Sequence, residues 1–128
     1  MSKSELYKKG EEVRRDMYGD AALEKASREV YGDPIMQKFV DVATETVFGA
    51  LWSRPGLDRK TRALICVASD VATGREKELA LHLNFARRHG WTEDELIETI
   101  LHLSGYVGVP LVRGAMMVAR DVFAEPAE

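Results

Sequence analysis

Helix starts and stops recur along the whole chain, and they constrain the fold more than any other feature. Asp33 followed by Pro34, Asp58 ahead of a long apolar run, and Thr92 with Glu95 three residues on each offer an acceptor where a helix leaves its first N–H groups unpaired. Gly19 and Gly90 stand where helices would end. No apolar–polar alternation of period two lasts more than a few residues, so strands are not expected.

The punctuation sets out amphipathic segments over residues 4–17 and 21–30, then a helix opening at Pro34 with Ile35, Phe39, Val42, Thr46 and Val47 on one side. That helix decays in LWSRPG. The segment capped by Asp58 is apolar almost all round from Ala63 to Ala72, apart from Ser69 and Asp70, and belongs at the centre of a bundle. A helix over residues 76–89 follows. The next one carries Leu96, Ile97, Ile100, Leu101 and Leu103 at core spacing, and a last helix opens at Pro110 and runs to Phe123. The expected fold is all-α, a compact bundle of five to six helices over residues 1–128, with the tail AEPAE frayed. Phe48, Trp52, Met116 and Met117 supply large apolar groups either to that core or to a subunit interface.

With 128 residues, 45% of them hydrophobic and 30% charged, the chain has the size and composition of one globular domain. It has no window of some 18 apolar residues to span a membrane. The opening MSKSELYKKGEEVRRD lacks the apolar core of a signal peptide, so the cytoplasm is expected. The single cysteine, Cys66, rules out an internal disulfide framework and any Cys-x-x-Cys motif. A net charge of −3, with acidic and basic residues interleaved, gives no reason to expect nucleic acid.

Three stretches carry candidate chemistry. In GREKELALHLNFARRHG, Glu78 and His82 lie four apart on one helix face, with Glu76 a further two residues back. The pair reads either as a surface ion pair or, because leucines flank His82, as a half-buried histidine whose tautomer is fixed for proton transfer near neutral pH. A metal site is the weaker reading, since His89 stands seven residues from His82 and zinc needs three or four ligands. In LWSRPGLDRKTR, Arg54 and Arg62 are candidates for bidentate capture of a carboxylate. In HLSGYVGVP, Tyr106 between Gly105 and Gly108 could face a cavity, and His102 reads as a core histidine. Cys66 reads as a small apolar residue.

Taken together, YKKGEEVRRDMYGDA, LWSRPGLDRKTRAL, REKELALHLNFARRHG and YVGVP resemble the carboxymuconolactone decarboxylase family over nearly the whole chain, from about Leu6 to Phe123. The resemblance implies the helical fold of alkyl hydroperoxidase D, assembled as trimers or hexamers with sites near subunit contacts. In the redox branch of that superfamily a Cys-x-x-Cys precedes the histidine. Here Arg75 and Glu78 stand in those places, which implies that thiol chemistry is absent.

The implied reaction is loss of CO₂ from γ-carboxymuconolactone to the enol lactone of 3-oxoadipate, in the degradation of protocatechuate. The substrate delocalises the released electron pair onto its own lactone carbonyl, so no cofactor or metal is needed. The implied roles are His82 as proton donor, Glu78 as its orienting partner, and Arg62 or Arg54 as carboxylate anchor. Trp52, Tyr106 and Glu76 are implied as pocket residues. Departures from the family pattern at Arg88, His89, His102 and Arg113 make the pocket more basic. They leave room for another carboxylated lactone or β-keto acid, or for an oligomeric binding protein that lacks the chemistry.

Overall fold

The computed structural model describes residues 3–126, and among these the chain is all-α. The expected five to six helices become seven: α1 (Glu5–Tyr18), α2 (Asp20–Glu29), α3 (Pro34–Ala43), α4 (Arg59–Thr73), α5 (Glu76–Arg88), α6 (Glu93–His102) and α7 (Val109–Phe123). A π-helical stretch, Thr44–Leu51, continues α3, and a 3₁₀ turn, Leu103–Gly105, follows α6. Of the expected frayed tail, residues 127–128 lie outside the described residues. No helix is long and apolar enough to cross a membrane among the described residues.

The caps form where short acceptors stand. Ser4 accepts from the Tyr7 N–H, Asp33 from those of Ile35 and Met36, and Asp58 from that of Thr61. Thr92 and Glu95 form a reciprocal capping box at the start of α6. These bonds hold Glu95 and Asp58 below the usual carboxylate range.

The chain divides into two compact units, one up to Leu57 and one from Asp58 onward. In the first unit α1 lies directly on the π-helical stretch. A Cβ on Gly10 would stand 1.8 Å from the Thr44 carbonyl oxygen, and one on Gly49 would stand 2.0 Å from that of Leu6. Only glycine permits this approach of two backbones. Val13, Met17, Tyr18, Val40, Thr44 and Trp52 are buried, and Trp52 stacks on Phe48 with ring centroids 5.9 Å apart. The apolar side read from the sequence, Ile35, Phe39, Val42 and Val47, is the exposed side. Ile35 keeps 79% of its surface.

The second unit holds most of the large side chains that are fully buried. Leu79, Leu83 and Phe85 of α5 and Leu96 and Ile100 of α6 are fully buried, and α7, with Ala115 and Ala119 buried, packs against both helices. Helix α4 is not enclosed all round as expected. Ala63, Val67, Asp70 and Val71 are buried, whereas Ile65 is half exposed. Arg87 ties α5 to the end of α7 by donating to the carbonyls of Val122 and Glu125, and it also bonds Glu93. It thereby gives a further partner to the Val122 carbonyl, which already accepts from the Glu125 N–H, and one to the Glu125 carbonyl just past the helix end.

Candidate active site

Helices α4 and α5 form a hairpin whose turn is set by Gly74. This residue sits at φ 70° and ψ 28°, the left-handed region that glycine adopts without a Cβ clash. The Gly74 N–H returns to the carbonyls of Asp70 and Val71, and the Arg75 N–H bonds the Asp70 carbonyl at 2.9 Å. Helix α4 therefore closes on Asp70, and α5 runs back alongside it.

The hairpin brings His82 to Asp70. The imidazole Nδ1 lies 2.5 Å from Asp70 Oδ2, with the Asp70 side chain 5% and the His82 side chain 20% exposed. A carboxylate only accepts hydrogen bonds, so Nδ1 carries the proton and donates it. The Phe85 ring meets the imidazole edge-on at 5.3 Å, restraining the second side of the ring. Nε2 is the nitrogen left for chemistry.

This corrects the expected pairing. Glu78 is solvent-exposed in the first turn of α5, and the carboxylate on His82 is Asp70. Asp70 was within reach of the sequence as the one charged residue between Ala63 and Ala72, since a buried carboxylate requires a partner. Its partner is twelve residues away across a turn, outside any spacing rule for a single helix.

The other candidate residues fall in different places. Glu76 shares with Asp70 a cavity of about 140 Å³, walled by Leu79, Leu111 and Ala115. Its Oε1 occupies the space beside Gly114, where a Cβ would approach to 2.6 Å. Arg62 is half-buried in the first turn of α4, eight residues before Asp70, or about 12 Å along the axis at 1.5 Å per residue.

Tyr106 faces solvent rather than a cavity, with 76% of its surface exposed, and its ring lies 5.1 Å from that of His102. His102 is likewise exposed, not a core residue, and a Cβ on Gly105 would meet nothing within 4 Å. Arg54 and Trp52 belong to the first unit, where Arg54 is exposed in the turn after the π-helical stretch and Trp52 is core.

Burial pushes the Cys66 thiol up to about 11, with the Asp70 charge adding to it. The thiol stays protonated at neutral pH and is a poor nucleophile. Among the described residues no three His, Cys, Asp or Glu side chains converge as a metal site.

The sequence profile of the Carboxymuconolactone decarboxylase family matches residues 37–121, a span that includes Asp70 and His82. The chain belongs to this family. It is 38% identical to the 4-carboxymuconolactone decarboxylase of Acinetobacter baylyi over 125 residues, covering 98% of this chain and 92% of that protein. It is 36% identical to the nitrosuccinic acid decarboxylase of Metarhizium robertsii over 115 residues, 90% of this chain and 79% of the relative. An uncharacterized 15.0 kDa protein of Paracoccus denitrificans is 35% identical over 86 residues, 66% of this chain and 64% of its own length. Two of these family relatives are decarboxylases, and this chain is a carboxy-lyase of the family.

Proposed function

We propose that the chain removes CO₂ from γ-carboxymuconolactone without a cofactor, with His82 delivering the proton that completes the reaction. The observation that carries the chemistry is the half-buried imidazole fixed through Nδ1, with Nε2 left for transfer. The substrate class is supported by the near full-length similarity to a 4-carboxymuconolactone decarboxylase.

In the reaction the bond between the ring γ-carbon and its carboxylate breaks, and the electron pair passes through the ring double bond to the lactone carbonyl. The resulting dienolate takes a proton at the α-carbon from the Nε2–H of the imidazolium, leaving the enol lactone and CO₂. His82 finishes neutral, with its Nδ1–H still held. One proton is consumed per turnover and is replaced from solvent. Arg62, on the helix that carries Asp70, anchors a substrate carboxylate, a task suited to the planar guanidinium fork.

The direct test gives purified protein freshly generated lactone in the presence of a chelator and follows lactone loss and CO₂ release. Turnover is expected for the wild type. His82→Gln is expected to lose at least about 10²-fold in kcat, the usual contribution of a positioned acid, with an unchanged circular dichroism spectrum. A near wild-type rate in that variant removes His82 from the mechanism.

A second reading is favoured by the Metarhizium relative, of almost equal identity, whose named substrate is nitrosuccinic acid. That acid also carries a carboxylate next to an electron sink, its nitro group, so the same proton donor would serve. Nitrosuccinate therefore belongs in the assay, and the larger kcat/KM assigns the substrate. Arg88, Arg113 and His89 are the positions to exchange if neither acid turns over.

We further propose that the working form is a homo-oligomer. The exposed face of Ile35, Phe39 and Val42 supports this, since apolar side chains on one helix face are a common form of subunit contact. Light scattering at assay concentration tests it, and an active monomer would remove it.

A further inference from the structure

We infer that Asp70, rather than Glu78 on the histidine's own helix, is the positioning residue for His82. This role rests on the proton-donor reading of His82 given above.

Asp70 is 4% exposed at residue level, on a helix face otherwise filled by Ala63, Val67 and Val71. Burying a carboxylate is costly unless it is paired and hydrogen-bonded, so an apolar side chain would suit packing better. The one hydrogen bond of its carboxylate among the described residues goes to Nδ1 of His82, at 2.5 Å. Glu78 stands in solvent and makes no hydrogen bond to the imidazole.

The consequence is chemical as well as structural. With Nδ1–H committed to Asp70, the neutral ring exists as the Nδ1–H tautomer and its free lone pair is on Nε2. The charged ring then has one transferable proton, on Nε2, which points away from α4. After that proton leaves, the neutral ring is already the tautomer that Asp70 holds, so it need not rotate or re-pair between turnovers. Phe85 on the ring edge restrains the same orientation. Glu76 and Gly114 flank the cavity on which Asp70 also opens, without touching the imidazole bond.

Two measurements test the assignment. In Asp70→Asn the amide can turn its NH₂ toward Nδ1, which moves the ring proton to Nε2 in the neutral form. The expected result is a loss of about 10²–10⁴-fold in kcat with KM changed only a few-fold, whereas Glu78→Gln stays within a few-fold of wild type in both. A wild-type kcat in Asp70→Asn, a change in KM alone, or an equal loss in Glu78→Gln overturns the proposal.

The second measurement uses the unsubstituted protein, so it stands even where Asp70→Asn does not fold. Nitrogen-15 NMR of the His82 imidazole should report the Nδ1–H tautomer with a strongly downfield N–H proton. An Nε2–H tautomer overturns the proposal outright. This readout needs no substrate. Turnover of nitrosuccinate in place of the lactone would overturn the substrate reading and leave the Asp70 assignment intact.

Discussion

The two units reach stability by opposite routes. The unit up to Leu57 is held where backbones touch. Gly10 and Gly49 let α1 settle on the π-helical stretch, while Ile35, Phe39 and Val42 are turned outward. The unit from Asp58 is held by large side chains, with Leu79, Leu83, Phe85, Leu96 and Ile100 fully buried around the hairpin that carries Asp70 and His82. A proton donor works only when held within a fraction of an ångström, and a dense side-chain core around the hairpin provides that better than a thin one. The imidazole and its carboxylate lie in the unit with more of the large, fully buried side chains.

Three substitutions or conditions would break or sharpen this contrast. The largest effect belongs to Gly10→Ala, whose Cβ would stand 1.8 Å from a backbone oxygen that cannot rotate away. Overpacking against backbone should cost about 3 kcal/mol or more, read as a drop in the urea midpoint, and a variant of unchanged stability would show that α1 can move off the π-helical stretch. Leu83→Ala should cost about 2–5 kcal/mol in the same measurement through the cavity it leaves in the second unit. A loss under about 1 kcal/mol would mean that the dense core collapses easily, and the contrast between the units would weaken.

The third effect is the alkaline pH dependence that Tyr18 contributes in the first unit, extending above the range in which the raised Cys66 thiol acts in the second. Burial, then the neighbouring Tyr31, pushes the Tyr18 phenol from 10.0 up to about 12. The folded state therefore holds the phenol proton more tightly than the unfolded chain. That stability is complete below pH 10 and is lost as pH rises through about 12, by about 2–3 kcal/mol in all. Urea midpoints measured across this range should fall, and Tyr18→Phe should flatten the fall. An equal slope in the variant would move the effect to other groups.

The helix boundaries were legible because caps are local chemistry. Asp33, Asp58, Thr92 and Glu95 each act within three residues of their own position. Which face of a helix is buried was less legible, because a face needs a partner. The side read as apolar on α3 is large and exposed, whereas the buried side carries Val40, Thr44 and Gly49. Small residues are what a close backbone approach requires, and the π-helical stretch then departs from the 3.6-residue period on which the reading relied. That His82 is half-buried beside a carboxylate was legible, which carboxylate it is was not, and the reason is the same. Glu78 lies four residues away by a rule within one helix, whereas Asp70 reaches His82 only through a turn at Gly74. The family itself was legible from four motifs spread along the chain, and the similarity to known decarboxylases supports it.

The Gly74 turn also makes the chain between Gly74 and His82 a ruler. Each residue of α5 carries its side chain about 100° around the helix and 1.5 Å along it. Removing one residue between the two would keep the helix, its composition and most of its hydrogen bonds, yet swing the imidazole well out of reach of Asp70. Substitutions at its exposed positions, Lys77 and Glu78, leave that spacing intact, whereas a change in its length is read out at once as a histidine facing the wrong way.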